Sequence, residues 1–198
     1  MTPREAAYDY MRRGIPVFPC EANGKKPATA HGFKDAGTDP RVIETWHPEC
    51  NIAFSPGDIG AITVDLDGEI GHWNWDALEA RLCGVRPTLR VRTPSGGTHI
   101  YFNGIGPSTA SAIAKGIDTR GIGGYVLLPP SSIDGHFYEV LDGLTFDKRN
   151  FADAPAWLLA ALAKPIRFER IAPAGFIEDQ EYAISWAKHL IQRAIAHD

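Results

Sequence analysis

Cysteine is scarce in this chain. Cys20, Cys50 and Cys83 are the three present among 198 residues, and no two of them form a C-x-x-C pair. An odd, scattered set excludes a disulfide framework and a cysteine zinc site, and it points to reduced thiols in a cytoplasmic protein. Long apolar runs are missing too. The opening MTPREAAYDYMRRG lacks the apolar core of a signal peptide, and nowhere do about 18 apolar residues follow one another, so no membrane span is expected. Nor is there an excess of positive charge. Lys and Arg number 20 against 24 Asp and Glu, the net charge is −4 and the pI is about 6.0. No overall basic field draws the chain to nucleic acid or to an anionic membrane, and any phosphate contact must come from a local patch.

What is present suffices for one compact core with a small appendage, since 44% of the residues are hydrophobic. Residues 2–13 predict an amphipathic helix, with Thr2 as N-cap, Pro3 at the first helical position and Gly14 ending it. IPVFPC predicts a buried strand, 21–39 a Gly- and Lys-rich loop, and DPRVIETWHP a short helix capped by Asp39. NIAFSPG and AITVDLD read as two strands around a turn, and GHWNWDALEARLC as a helix. TLRVRT and THIYFN are strands joined by a tight PSGG turn. GIDTRG and GYVLLPPS read as a further strand–turn–strand, FYEVLD as a last strand and APAWLLAALAK as a helix. The expected organisation is an α+β domain over residues 1–165, then a linker and an amphipathic helix within 166–198. In that helix Ile184, Ala187, Leu190 and Ile191 share a face.

Three stretches carry chemistry. In VDLDG, Asp65 and Asp67 point the same way from the end of an apolar strand, with Cα atoms about 6.5–7 Å apart. Two like charges so close call for water or a cation, and a set of oxygen ligands suits Mg²⁺ or Mn²⁺. An EF-hand loop is excluded, because Ile70 stands where that loop needs Gly. A haloacid-dehalogenase-like phosphatase, which also places D-x-D-G after an apolar strand, stays open. In RTPSGGTHIYF, the turn of Ser95, Gly96 and Gly97 lets backbone N–H groups approach a phosphate, and His99 opens the outgoing strand beside it. In GIDTRGIGGYVLLPPS, Asp118 ends a short strand. Converging on Asp65 and Asp67, it would complete a two-metal site.

In this order the three stretches resemble the active-site motifs of the bifunctional primase–polymerase (Prim-Pol) family, within the archaeo-eukaryotic primase superfamily, and GKKPATAHGFKDAGTDPRVIETW resembles its N-terminal region. The resemblance spans about residues 5–165. It implies an α+β catalytic domain, with mixed sheets flanked by helices around an acidic cleft. It implies metal binding by Asp65, Asp67 and Asp118, with Asp67 one methylene shorter than the Glu of some relatives. His99 would touch the phosphates of the incoming nucleotide, with Gly97 in the small position of the small-x-His motif. Ser95, Gly96, Arg120 and Lys25 or Lys26 are further candidates for triphosphate contacts. No cysteine lies between His99 and Asp118, so no zinc stem is expected.

The implied activity is template-directed DNA synthesis and priming with two Mg²⁺ or Mn²⁺ ions, in plasmid- or phage-type replication. DNA template and primer are the implied macromolecular partners, dNTPs or NTPs the substrates, and a helicase-type domain is expected in the same full-length chain. Arg81, Arg86, Arg90 and Arg92 are candidates for template contacts, and Tyr101, Phe102 and Tyr125 for base stacking or for the core. Besides the phosphatase, the competing reading is a single-stranded nucleic-acid binding module without catalysis.

Overall fold

The computed structural model describes residues 2–82 and 85–163. Cys83 and the expected linker and helix of 166–198 lie outside them. Helix α1 (Pro3–Arg12) begins as expected. The Thr2 side chain accepts from the Glu5 N–H, and the Glu5 carboxylate accepts from the Thr2 N–H, a reciprocal capping box. Strands β1 (Phe18–Cys20), β2 (Asn51–Phe54) and β3 (Ala61–Leu66) follow, then helix α2 (Gly68–Arg81) and strands β4 (Arg90–Arg92), β5 (Thr98–Asn103), β6 (Thr109–Ala114), β7 (Ile117–Arg120) and β8 (Val126–Leu128). Three two-residue strands, β9 (Ser132–Ile133), β10 (His136–Phe137) and β11 (Glu139–Val140), precede β12 (Ala152–Asp153) and helix α3 (Ala156–Ala163).

The strands form two main sheets. The larger runs β11-β4-β5-β3-β7-β6, with β12 continuing along β5 beyond the end of β4; the smaller runs β1-β2-β8. Strand β3 lies at the centre of the larger sheet, antiparallel to both neighbours. That pairing removes the phosphatase reading, which requires a βα-alternating fold and hence parallel strands. Period-two alternation divides β3 cleanly. Ile62, Val64 and Leu66 join Trp75, Leu78, Ile100, Phe102, Ile117 and Leu158 in a core under α2 and α3. Ala61, with Leu89, Val91 and Tyr101, belongs to a second core shared with α1 and the smaller sheet. Asp65 therefore points away from the helices and toward the smaller sheet.

Three expectations are corrected, and one strand was not expected. Residues 40–45 form a 3₁₀ helix, capped by Asp39 as expected but shorter than an α-helix. Strands β7 and β8 do not pair with each other; β8 joins β2 in the smaller sheet. Between them the backbone at Ile122 bonds to Gly106 and Ser108, and a side chain at Gly121 would overlap the Gly106 carbonyl, so the chain crosses between sheets where a hairpin was expected. FYEVLD divides between β10, which pairs with β9, and β11, which pairs with β4. Strand β6 carries a mostly exposed run of small residues, TASAIA, with little apolar alternation to reveal it.

Candidate active site

The antiparallel register sets three of the expected residues side by side. Asp65 on β3 is opposite His99 on β5 and opposite Asp118 on β7. Adjacent strands place opposed side chains on one face, so His99, Asp65 and Asp118 form a row across three strands. Arg120, two residues beyond Asp118, shares that face. Its Nη2 donates to Asp118 Oδ2 at 3.0 Å and lies 3.9 Å from Asp65 Oδ2. Asp118 Oδ1 accepts from the Ser111 N–H at 2.8 Å. On the other side, His99 Nε2 stands 3.4 Å from Asp65 Oδ1.

Asp67 sits where β3 gives way to α2. Gly68, with φ of +59°, turns the chain there. Asp67 occupies the N-cap position, and its N–H donates to the Gly116 carbonyl at 2.8 Å, yet its side chain makes no capping bond. Aspartate is favoured at N-caps because it usually makes that bond. Here the carboxylate is left free beside Asp65.

The two acids differ in electrostatics. Burial alone would raise the Asp65 pKa, but the hydrogen bond from His99 and the positive charges of Arg120 and Lys25 outweigh it and hold the carboxyl below its ordinary value. Asp67 is shifted upward, by partial burial and then by the charges of Asp65 and Asp118, against the pull of Arg120 and Lys25. The row therefore keeps Asp65 ionised and leaves Asp67 ready for a positive charge.

The Ser95–Gly97 turn closes the β4–β5 hairpin at the same end. Thr93 N–H donates to the Gly97 carbonyl at 2.9 Å, and the Ser95 and Thr93 hydroxyls are 3.2 Å apart. A Cβ on Gly97 would lie 2.5 Å from the Leu66 carbonyl oxygen, so only glycine lets this turn approach the end of β3. The two lysines part. Lys26 Nζ pairs with Glu21 at 3.5 Å, whereas it is Lys25 whose charge reaches Asp65 and Asp67. The Lys25 backbone is held by the Tyr125 hydroxyl, which donates to its carbonyl at 3.1 Å.

Of the other candidates, Tyr101 and Phe102 are fully buried in the two cores, while Arg90 and Arg92 are paired with Glu79 and Glu139. Two residues escaped sequence reading. His72 on α2 bonds through Nδ1 to the Gly68 carbonyl at 2.8 Å and through Nε2 to the Thr98 hydroxyl at 2.9 Å, tying the acidic turn to the start of β5. The other is Ser111, whose contact with Asp118 depends on a backbone N–H and leaves no signal in a side chain.

Three carboxylates reaching one end of the sheet provide oxygen donors alone, which fits a hard divalent cation that keeps water in its shell. Among the described residues, no three His, Cys, Asp or Glu side chains stand close enough to form a finished cage. Arg120, bonded to Asp118, holds part of the positive charge that the acids require.

The chain has a match among known families. The family model described as bifunctional DNA primase/polymerase, N-terminal (Prim-Pol) matches residues 7–157, and the chain belongs to that family. No curated protein matches the chain. Membership makes it a primase/polymerase-type nucleotidyl-transfer domain, of a family that acts on DNA and nucleotides and is typically dependent on divalent metal. No helix among the described residues is long and apolar enough to cross a membrane.

Proposed function

We propose that this chain catalyses template-directed DNA synthesis, extending a primer and making short primers, with Asp65, Asp67, Asp118 and His99 as its catalytic set. The observation that carries this reading is the cross-strand row of His99, Asp65 and Asp118, with the uncapped Asp67 carboxylate beside it. The primer 3′-hydroxyl attacks the α-phosphorus of the incoming nucleotide, the new P–O bond forms, and pyrophosphate departs. Asp65, Asp67 and Asp118 would hold the Mg²⁺ or Mn²⁺ ions, which supply the positive charge that the triphosphate and the developing alkoxide need. His99 Nε2–H donates to the phosphates, the Ser95–Gly97 turn offers backbone N–H groups, and Arg120 and Lys25 balance the remaining charge. A binding module gains nothing from three carboxylates beside a phosphate backbone, since they repel it.

The same reading assigns residues 1–165 to catalysis and 166–198 to a linker and helix leading toward a helicase-type domain, in a cytoplasmic protein of plasmid- or phage-type replication. The decisive experiment is primer extension on a primed template with dNTPs and either Mg²⁺ or Mn²⁺, comparing the parent with Asp65→Ala and Asp67→Ala. Loss of a charged group that acts on the transition state is worth several kcal/mol, so extension should fall by roughly a thousandfold or more. Undiminished incorporation by either variant would refute the assignment.

A further inference from the structure

His99 is held from both sides. Its Nε2 faces Asp65 Oδ1 at 3.4 Å, while its Nδ1 meets the Tyr101 hydroxyl at 3.2 Å. Both rings are buried, His99 at 5% exposure and Tyr101 at none, and they meet edge to face at 6.1 Å. Tyr101 and His99 are two apart on β5, so alternation puts them on the same face. We infer that Tyr101 is a positioning residue for nucleotide binding, whose hydroxyl donates to His99 Nδ1 and thereby fixes the imidazole with its proton on Nε2, facing the phosphates. This rests on the reading of His99 as a phosphate contact.

The direction of the bond follows from satisfaction of buried groups. The phenolic proton of Tyr101 needs an acceptor and Nδ1 is the one in reach, so the ring proton lies on Nε2, toward the Asp65 carboxylate oxygen. Among the described residues the phenol of Tyr101 meets no other acceptor. Thr63, opposite Tyr101 on β3, is fully buried and its hydroxyl makes no hydrogen bond among the described residues. If Nδ1 donated to the phenol, the phenolic proton would itself be stranded. Burial also pushes the Tyr101 pKa well up, which keeps the donor proton in place.

Tyr101 is itself rigid. Its ring packs between Phe146 at 5.0 Å and Phe151 at 5.3 Å, its N–H donates to the Leu89 carbonyl at 3.0 Å, and its carbonyl accepts from the Thr88 hydroxyl. The arrangement matters most in the working state. Once the Asp65 oxygens are engaged with positive charge, their hold on Nε2 weakens, and Tyr101 remains to keep the ring in orientation.

Tyr101→Phe tests this, because phenylalanine keeps the ring packing and deletes only the hydroxyl. One neutral hydrogen bond lost corresponds to roughly a three- to tenfold effect. The KM for dNTP should rise by that factor with kcat nearly unchanged, and thermal unfolding should show the variant folded. In Mg²⁺-loaded protein, the ¹⁵N spectrum of the parent should show a protonated Nε2 and a hydrogen-bonded, unprotonated Nδ1. The Nδ1 signal should move in Tyr101→Phe. An unmoved signal, or an unchanged KM, overturns the inference. His99→Ala, assayed alongside, separates the two failures. If it raises KM while Tyr101→Phe does not, only the positioning role falls. If it leaves KM unchanged, the phosphate reading falls and the positioning role with it.

Discussion

Asp67 shows at a single position what the site costs the fold. It stands at an N-cap without capping, and partial burial, then the charges of two neighbouring carboxylates, push its pKa upward. A group whose folded pKa is raised favours the native state below its unfolded pKa and loses that contribution as pH rises. Ionised Asp67 therefore opposes folding at neutral pH when no cation is present. Asn, also a favoured N-cap, removes the charge. We expect Asp67→Asn to stabilise the metal-free protein at pH 7 by no more than about 0.5 kcal/mol, since the site is open to screening. The gain should vanish as pH falls below about 4, and primer extension should be lost with it. Urea midpoints at pH 7 and at low pH, read beside the extension assay, check both signs. The acid pair itself was legible in VDLDG, because two-residue spacing at a strand end fixes a shared face. Its missing cap was not, since the same Asp-Gly pair starts many helices with the bond made.

At the scale of elements, α2 depends on a close approach. Gly71 lies in its first turns against the β6–β7 turn, where Gly116, at φ of +76°, turns its carbonyl toward Asp67 N–H. A Cβ on Gly71 would overlap that carbonyl oxygen. Gly71→Ala should therefore be destabilising even though alanine favours helix by about 1 kcal/mol. Forcing the helix off the turn should leave a net loss of roughly 1–3 kcal/mol, measured by urea unfolding. The displacement also moves the backbone of Asp67, so extension should fall further than the lost stability accounts for. Helix α1 was readable from its cap and its terminating glycine, and β3 and β5 from apolar runs, whereas apolar spacing did not tell which α2 tryptophan is buried: Trp75 is, and Trp73 is exposed. Partners were not readable: β7 and β8 looked like one hairpin because local spacing cannot say that the glycines between them carry the chain from one sheet to the other.

At the scale of the molecule, the end of α1 is tied to the segment around Asp147. Arg13 donates to the Phe146 carbonyl at 3.2 Å and lies 3.7 Å from Asp147, whose carboxylate also caps a short 3₁₀ turn and binds Arg149 at 2.7 Å. The hydrogen bonds from the Arg149 side chain and then its backbone, with the charges of Arg149 and Arg13, lower Asp147 to about 2 from an ordinary 3.8. A lowered carboxylate stabilises the fold above its unfolded pKa and loses that contribution as pH falls toward the folded one. The thermal midpoint should therefore drop between pH 4 and pH 2 by more in the parent than in Asp147→Asn. Added salt should shrink the difference, since Arg149 is 88% exposed. A parent and variant with parallel acid profiles would show that the tie adds nothing.

By itself the sequence determined the local chemistry of this protein: which residues could cap, which faces were apolar, and which carboxylates, histidine and glycines stood near strand ends. Those follow from neighbours within a few positions, where the chain has few conformations to choose among. Only the tertiary structure decided that Asp65 faces His99 and Asp118 across the sheet, that Lys26 is taken up by Glu21 while the charge of Lys25 acts on the acids, and that the Tyr101 hydroxyl meets His99 within the core. Each of these depends on strand register and on which sheet a strand enters. Register is fixed by burying one face of β3 under helices α2 and α3, and a slip of that strand by one residue would have turned Asp65 toward the opposite core and broken the row.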